Sequence, residues 1–132
     1  MNYKHEVIIF DFDGVLVDSV DIKTKAFAML YTEYGDEVVK QVVSYHLENG
    51  GLSRFKKFRY SHLNFLGKNL TSKDEVTLGK QFEEFVLEAV IAASWCVGAH
   101  EFLEKFSKNI PLFIASGTPE YELKKIIEQY KI

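Results

Sequence analysis

The feature that most constrains this chain is a pair of aspartates placed directly after a short apolar run. The run covers residues 7–10, and Asp11, Asp13 and Gly14 follow it in the order Asp-Phe-Asp-Gly. Apolar residues at successive positions indicate a strand buried on both faces, which is typical of a parallel sheet. Such a strand would carry two carboxylates to the sheet edge where α/β proteins bind their ligands. Because no turn or helix cap needs both carboxylates there, the pattern favours a chemical role.

The rest of the chain predicts one further strand and several helices. A second apolar run at 110–115 indicates the other strand, and Ser116-Gly117-Thr118-Pro119 turns out of it. Apolar spacing between the strands predicts four amphipathic helices: one from a cap at Asp18 or Ser19 to Gly35, then 36–47, 53–66, and one from a Ser72/Glu75 capping box to about residue 95. A fifth helix begins at 98 or 99, and the last covers 120–130 with Thr118 as its predicted cap. The order predicts an α/β fold with two parallel strands and a helical insertion.

The composition limits the classes of protein to which the chain can belong. It has 132 residues, of which 47% are hydrophobic, and a net charge of −3, which suits one modest domain with a packed core. An acidic balance gives no bulk attraction for nucleic acid, and no apolar run reaches the roughly 18 residues of a membrane span. Cys96 is the single cysteine, which excludes an intrachain disulfide and a thiolate metal cluster. We therefore expect a soluble cytoplasmic protein with neither nucleic acid nor membrane as a partner.

The two aspartates fit the chemistry of phosphoryl transfer. Asp11 can attack phosphorus to give an aspartyl-phosphate, and Asp13 can protonate the leaving oxygen and then activate water. Mg²⁺ held by Asp11 and Asp13 would neutralise the carboxylate against the incoming phosphate. A calcium-binding loop is the alternative for this pattern, and it is disfavoured because Val15 and Leu16 stand where further ligands and a glycine are needed.

These residues carry a resemblance to a known family. Residues 11–19, Asp-Phe-Asp-Gly-Val-Leu-Val-Asp-Ser, resemble the first motif of the haloacid dehalogenase-like (HAD) hydrolases, in the branch of phosphoglycolate phosphatases and β-phosphoglucomutases. Residues 114–117 resemble the second motif, in which a hydroxyl binds phosphate, here Ser116 with Gly117. The resemblance implies a Rossmann-like core, formed by 1–18 and 96–132, with an inserted four-helix cap at 19–95. The presence of Asp13 favours oxygen esters of phosphate, since dehalogenating and phosphonate-cleaving relatives lack the second aspartate.

The cap contributes one candidate substrate residue. The loop that ends in Arg54 is similar to a cap loop that touches substrate in the phosphoglucomutase-like relatives, so Arg54 is expected to clamp a second phosphate or a carboxylate. An exposed arginine after a serine cap is the alternative. The basic cluster Arg54, Lys56, Lys57 and Arg59 is interpreted as a solvated helix face. His62 is expected to be a semi-buried structural residue.

The family's later motifs, a lysine and an acidic residue or pair, do not follow in this sequence. We therefore expect an incomplete core, a chain that is the N-terminal part of a longer Mg²⁺-dependent phosphatase, and poor activity of the 132 residues alone. A sugar phosphomutase of the same family is one alternative. The other is a non-catalytic module that self-associates, for instance as a homodimer, through exposed strand edges.

Overall fold

The computed structural model describes residues 6–132. Two short strands and six α-helices follow one another along this part of the chain: β1 (Ile8–Phe10), α1 (Val20–Leu30), α2 (Asp36–Glu48), α3 (Arg54–Phe65), α4 (Ser72–Ile91), α5 (Ala99–Phe106), β2 (Leu112–Ile114) and α6 (Glu120–Tyr130), with a 3₁₀ turn at Thr32–Tyr34. None of these helices is long and apolar enough to cross a membrane.

The two strands pair in parallel, with Ile9 opposite Phe113. Because parallel strands share one carboxyl edge, the segment after Phe10 and the segment after Ile114 emerge side by side. A parallel pair also needs a long crossover, and α1 to α5 supply it. The predicted α/β class is therefore confirmed: the fold is a two-strand partial core with a helical cap.

Helices α1 to α4 pack on one another around a cluster of aromatic rings. The centroid of the Phe27 ring lies 4.7 Å from that of Phe82 and 5.7 Å from that of Phe58, and the three side chains are almost fully buried. Burying a large aromatic side chain contributes roughly 1.5–3 kcal/mol, so each of these three rings stabilises the packing of the helical layer. Helix α4 also packs on α6, which connects the cap to the core.

The chain crosses between core and cap at two adjacent points. The Asp18 N–H donates to the Ser94 carbonyl at 2.9 Å, and the Cys96 N–H donates to the Leu16 carbonyl at 2.8 Å. The two crossing segments therefore run antiparallel beside each other, which is what an insertion into one core requires. The division at 18/19 and 95/96 remains a prediction, and residues 1–5 of the predicted core lie outside the described residues.

One predicted helix cap is confirmed in position, and two are wrong by one residue. Ser19 is the N-cap residue of α1, as predicted, although its hydroxyl makes no cap hydrogen bond there. Helix α4 is capped by Thr71, whose Oγ1 accepts from the Asp74 N–H at 3.1 Å, one residue before the predicted Ser72. Pro119 rather than Thr118 occupies the cap position of α6. The Ser19 hydroxyl donates instead to Asp13 Oδ1, and the Thr118 hydroxyl accepts from Lys23 Nζ.

Candidate active site

A cavity of about 200 Å³ lies between the carboxyl edge of the sheet and the cap. Asp11 and Asp13 line it from the β1 side, Gly117 and Thr118 from the β2 side, and the loop 50–52 from the cap. The predicted catalytic residues and part of the predicted phosphate loop therefore meet in one place. The cavity is smaller than the roughly 300 Å³ at which pockets for drug-sized ligands begin.

Local backbone geometry after β1 directs the two carboxylates toward this cavity. The Phe12 side chain is fully buried, and the alternation of side chains leaves its neighbours Asp11 and Asp13 outside the core. Gly14 has a φ of +75°, and a Cβ there would lie 2.7 Å from Val20 Cγ2, so only glycine fits without a shift. The turn is closed by the Gly14 N–H donating to the Val17 carbonyl at 2.8 Å.

Asp13 is held by two side chains. The Ser19 hydroxyl donates to Asp13 Oδ1 at 2.6 Å, and Lys23 Nζ donates to Oδ2 at 2.5 Å. The same Lys23 Nζ donates to Thr118 Oγ1 at 2.7 Å, so one ammonium group joins the segments that follow both strands. Burial lowers the pKa of Lys23, although the Asp13 charge acts in the opposite direction. Asp11 is more exposed, and its Oδ1 accepts from the Phe12 N–H at 2.7 Å.

The predicted phosphate loop is closely covered by the cap. The Ser116 hydroxyl accepts from the Thr118 N–H at 3.1 Å, which shapes the turn. A Cβ on Gly117 would lie 3.2 Å from the Leu52 carbonyl oxygen, so the cap loop passes directly over this glycine. Gly117 and Thr118 line the cavity, whereas Ser116, two residues after the end of β2, is not one of its lining residues.

The side chain of Arg54 is not free to bind an anion in this conformation. Its Nη1 and Nη2 donate to Glu122 Oε2 and Oε1 at 2.7 and 3.2 Å, and its guanidinium carbon lies 4.4 Å from the Phe82 ring centroid. The side chains of Arg54 and Glu122 are 4% and 1% exposed. The pair therefore connects cap helix α3 to core helix α6 at the wall of the cavity.

The interpretation of the basic cluster on α3 as a solvated face is wrong for two of its four members. Arg54 and Lys57 are buried, whereas Lys56 and Arg59 are exposed. Residues 54 and 57 are three apart and so share one helix face, which here is the face toward the core. His62 meets its expectation, since it is buried with Nδ1 near the Tyr31 hydroxyl at 2.9 Å and the Phe58 carbonyl at 3.0 Å.

Sequence comparison decides the family. A family model described as haloacid dehalogenase-like hydrolase matches residues 5–131, nearly the whole chain. The chain belongs to the haloacid dehalogenase-like hydrolase family. No curated protein sequence matches it significantly.

Solved structures with the same fold include one that is described as a HAD hydrolase. A hydrolase from Pseudomonas syringae superposes with a TM-score of 0.75 at 21% identity, covering 97% of this chain and 57% of that one. A β-phosphoglucomutase from Clostridium difficile gives 0.74 at 19%, with coverage of 96% and 57%. A HAD hydrolase of family IA, variant 3, from Entamoeba histolytica gives 0.67 at 18%, with coverage of 96% and 56%. The chain thus spans somewhat more than half the length of these relatives, and at such identities the likeness establishes the fold.

Three residues of this HAD-like site were not predicted from the sequence: Lys23, His46 and Lys57. All three line the cavity, and His46 and Lys57 are buried. Lys23 follows Ser19 by four residues, so helical spacing would have placed it on the Asp13 side once Ser19 was known to face that carboxylate. For His46 and Lys57 no comparable local signal exists, because their position depends on how α2 and α3 pack.

The described residues fit a divalent cation only in part. Asp11 offers an exposed carboxylate and Asp13 a backbone carbonyl, whereas the Asp13 carboxylate is already bonded to Ser19 and Lys23. Over residues 6–132 no group of three or more histidine, cysteine or acidic side chains converges on one point. Mg²⁺ commonly takes one or two carboxylates and completes its shell with water and substrate phosphate, which these two oxygens would allow.

Proposed function

We propose that this HAD-like hydrolase is a Mg²⁺-dependent phosphatase that hydrolyses a small phosphorylated metabolite. The observation that supports it is the meeting of Asp11, Asp13, Lys23 and Thr118 in one small cavity at the shared carboxyl edge of β1 and β2. A nucleophile, an acid–base and a cation placed together are the groups that phosphoryl transfer needs, since that reaction depends mainly on positioning and charge stabilisation.

Each residue of the candidate active site has a distinct part in the proposed reaction. Asp11, the more exposed aspartate, attacks phosphorus and becomes the aspartyl-phosphate. Asp13 protonates the leaving oxygen and then takes a proton from the water that cleaves the intermediate. Lys23 holds Asp13 in position and brings a positive charge to the side where Ser116, Gly117 and Thr118 would bind the phosphate oxygens.

The proposed cofactor is Mg²⁺, held by the Asp11 carboxylate and the Asp13 backbone carbonyl. When bound, it would supply charge neutralisation between the nucleophile and the phosphate. Because these described residues provide a single free carboxylate for it, we propose that the 132-residue chain is a slow enzyme. Slow turnover would still depend on Mg²⁺ and on Asp11.

Phosphate release from p-nitrophenyl phosphate tests the proposal. The chain should release phosphate with Mg²⁺ and lose the activity with excess chelator, and Asp11→Asn should abolish it. Asp18→Asn is the matched control, since Asp18 is an exposed aspartate of the same loop. Turnover without a metal, or full activity in Asp11→Asn, would refute the proposal. Phosphate transfer to a second sugar position through a bisphosphate would instead identify a phosphomutase.

A second candidate, self-association, is favoured by the exposed face of the sheet. Ile9 and Phe113 are paired neighbours, and their side chains are 64% and 55% exposed. Each described strand has one neighbour, so each also leaves backbone groups free to pair with another chain. Light scattering after size exclusion should then give the mass of a dimer, which Ile9→Lys should convert to a monomer. A wild-type monomer at high concentration would exclude this candidate.

A further inference from the structure

Among residues 6–132, three cationic side chains line the cavity, and two of them are paired with a carboxylate. Lys23 is paired with Asp13 and Arg54 with Glu122. Lys57 lies one helical turn after Arg54, is 3% exposed and lines the same cavity. In the part of the chain that the structure describes, its Nζ contacts His46 rather than a carboxylate.

The surroundings of Lys57 bury its charge without a counter-ion, which costs free energy. Lys57 Nζ lies 2.9 Å from His46 Nδ1 and 3.4 Å from the His46 carbonyl, and the Phe27 ring lies beneath both side chains. Burial, with the Lys57 charge adding to it, lowers the pKa of His46 to about 4, so this imidazole is neutral at pH 7. Burial lowers the pKa of Lys57 to about 8, which leaves it mostly an ammonium at pH 7. A buried ammonium bonded to neutral groups lacks the anion that normally accompanies it.

His46 adds an unused donor to the same wall. The Lys57 ammonium can only donate, so His46 Nδ1 accepts and the ring hydrogen resides on Nε2. That Nε2 is buried and has no hydrogen-bond partner among residues 6–132. Buried polar groups are nearly always paired in folded proteins, so this donor is available to an anion that enters the cavity lined by His46.

We infer that Lys57, supported by His46, is a binding site for a second anionic group of the substrate, a carboxylate or a second phosphate. The phosphoryl group occupies the end of the cavity at Asp11, and the second anion lies against the cap wall at Lys57. This deepens the proposed function and rests on it for the identity of the first group. It also moves the anion-clamping role from Arg54, whose charge Glu122 satisfies, to the buried lysine one turn later.

Binding of non-hydrolysable ligands tests this subsite. Calorimetric titration would compare methylphosphonate, which has one anionic group, with phosphonoacetate and ethane-1,2-diphosphonate, which add a carboxylate or a second phosphonate. The wild-type chain should bind at least one of the latter two about tenfold or more tightly than methylphosphonate, as expected for a charged hydrogen bond. The larger of the two gains identifies the second group.

Variants of α3 provide the control. Lys57→Met should remove the gain while leaving methylphosphonate affinity within about twofold, and Lys57→Arg should keep part of it. Lys56→Met, which changes an exposed neighbour, should preserve the gain in full. No gain in the wild type, or an unchanged gain in Lys57→Met, would overturn the inference. If Lys57→Met does not fold, Lys57→Gln is measured by the same criterion.

Failure of this inference is distinguishable from failure of the proposed function. None of the three ligands is hydrolysed, so the gain in affinity does not depend on Asp11 chemistry. Turnover that depends on Asp11, combined with no contribution of Lys57 to binding, would support the proposed phosphatase activity and refute the subsite at Lys57. A gain in affinity that depends on Lys57, without phosphate release, would support the anion-binding site and refute the proposed reaction.

Discussion

Removing the charge of Glu122 should destabilise the protein severely, because it leaves the Arg54 guanidinium buried without a counter-ion. The pair has two hydrogen bonds, at 2.7 and 3.2 Å, and both side chains are at most 4% exposed. Breaking a buried ion pair by removing one partner costs about 3–5 kcal/mol. Folded domains have a free energy of unfolding of about 5–15 kcal/mol, so Glu122→Leu would remove a large fraction of it.

The cost of the single variant should disappear when both partners are replaced. Arginine stays charged at every accessible pH, so Glu122→Leu should carry the full cost. The double variant, Arg54→Met with Glu122→Leu, should be within about 1 kcal/mol of the wild type, since apolar residues often replace a buried pair without loss.

Urea unfolding measured by circular dichroism checks these values. With a slope near 2 kcal/mol per molar urea, a cost of about 3–5 kcal/mol lowers the midpoint by about 1.5–2.5 M. The control is Glu120→Gln on the same helix, which removes the exposed Glu120–Lys124 pair and should change stability by less than about 0.5 kcal/mol. If Glu122→Leu costs no more than this control, or if the double variant equals the sum of the singles, the reasoning is wrong.

Three further predictions concern the site and its supports. Gly14→Ala should destabilise the protein by about 1–3 kcal/mol in urea unfolding, because alanine is strained at a φ of +75° and its Cβ meets Val20. Lys23→Met should lower kcat/KM for p-nitrophenyl phosphate about tenfold or more, by releasing Asp13 from its ammonium partner, whereas Lys25→Met on the exposed side of α1 should not. The free energy of unfolding should fall by about 1–2 kcal/mol between pH 7 and pH 5, because the pKa of His46 is about 4 in the folded protein and about 6.5 in the unfolded chain, which therefore binds the proton at higher pH. Urea unfolding measures this change, and the midpoint of His46→Gln should change less over the same range.

The parts of the fold that depend on local pattern could be predicted from the sequence. The apolar runs around 7–10 and 110–115 match β1 and β2, because a buried strand needs successive apolar residues whatever its neighbours are. The position of Asp11 and Asp13 at the carboxyl edge of the sheet could be predicted for the same reason, since it follows from the strand that precedes them. Glycines that interrupt the apolar spacing, such as Gly35 and Gly67, likewise separated the helices near their observed ends.

The wall of the site could not be predicted, because it depends on contacts between residues far apart in the chain. Arg54 meets Glu122 at a separation of 68 residues, and Lys23 meets Thr118 at 95. The spacing of Arg54, Lys56, Lys57 and Arg59 shows which of them share a helix face, but it does not show which face meets the core. Charged residues usually lie outside, and the exceptions here are the two that line the cavity.

The most direct test of the proposed chemistry is to trap phosphate on Asp11. In Asp13→Asn the base that activates water is missing, whereas p-nitrophenolate leaves without needing an acid, so a phosphoenzyme should accumulate. Intact-protein mass spectrometry after incubation with p-nitrophenyl phosphate and Mg²⁺ should show one added phosphoryl group, mapped to Asp11 by peptide analysis. The double variant with Asp11→Asn should gain none. An unmodified Asp13→Asn protein from a wild type that releases phosphate, or a phosphoryl group on another residue, would contradict the account.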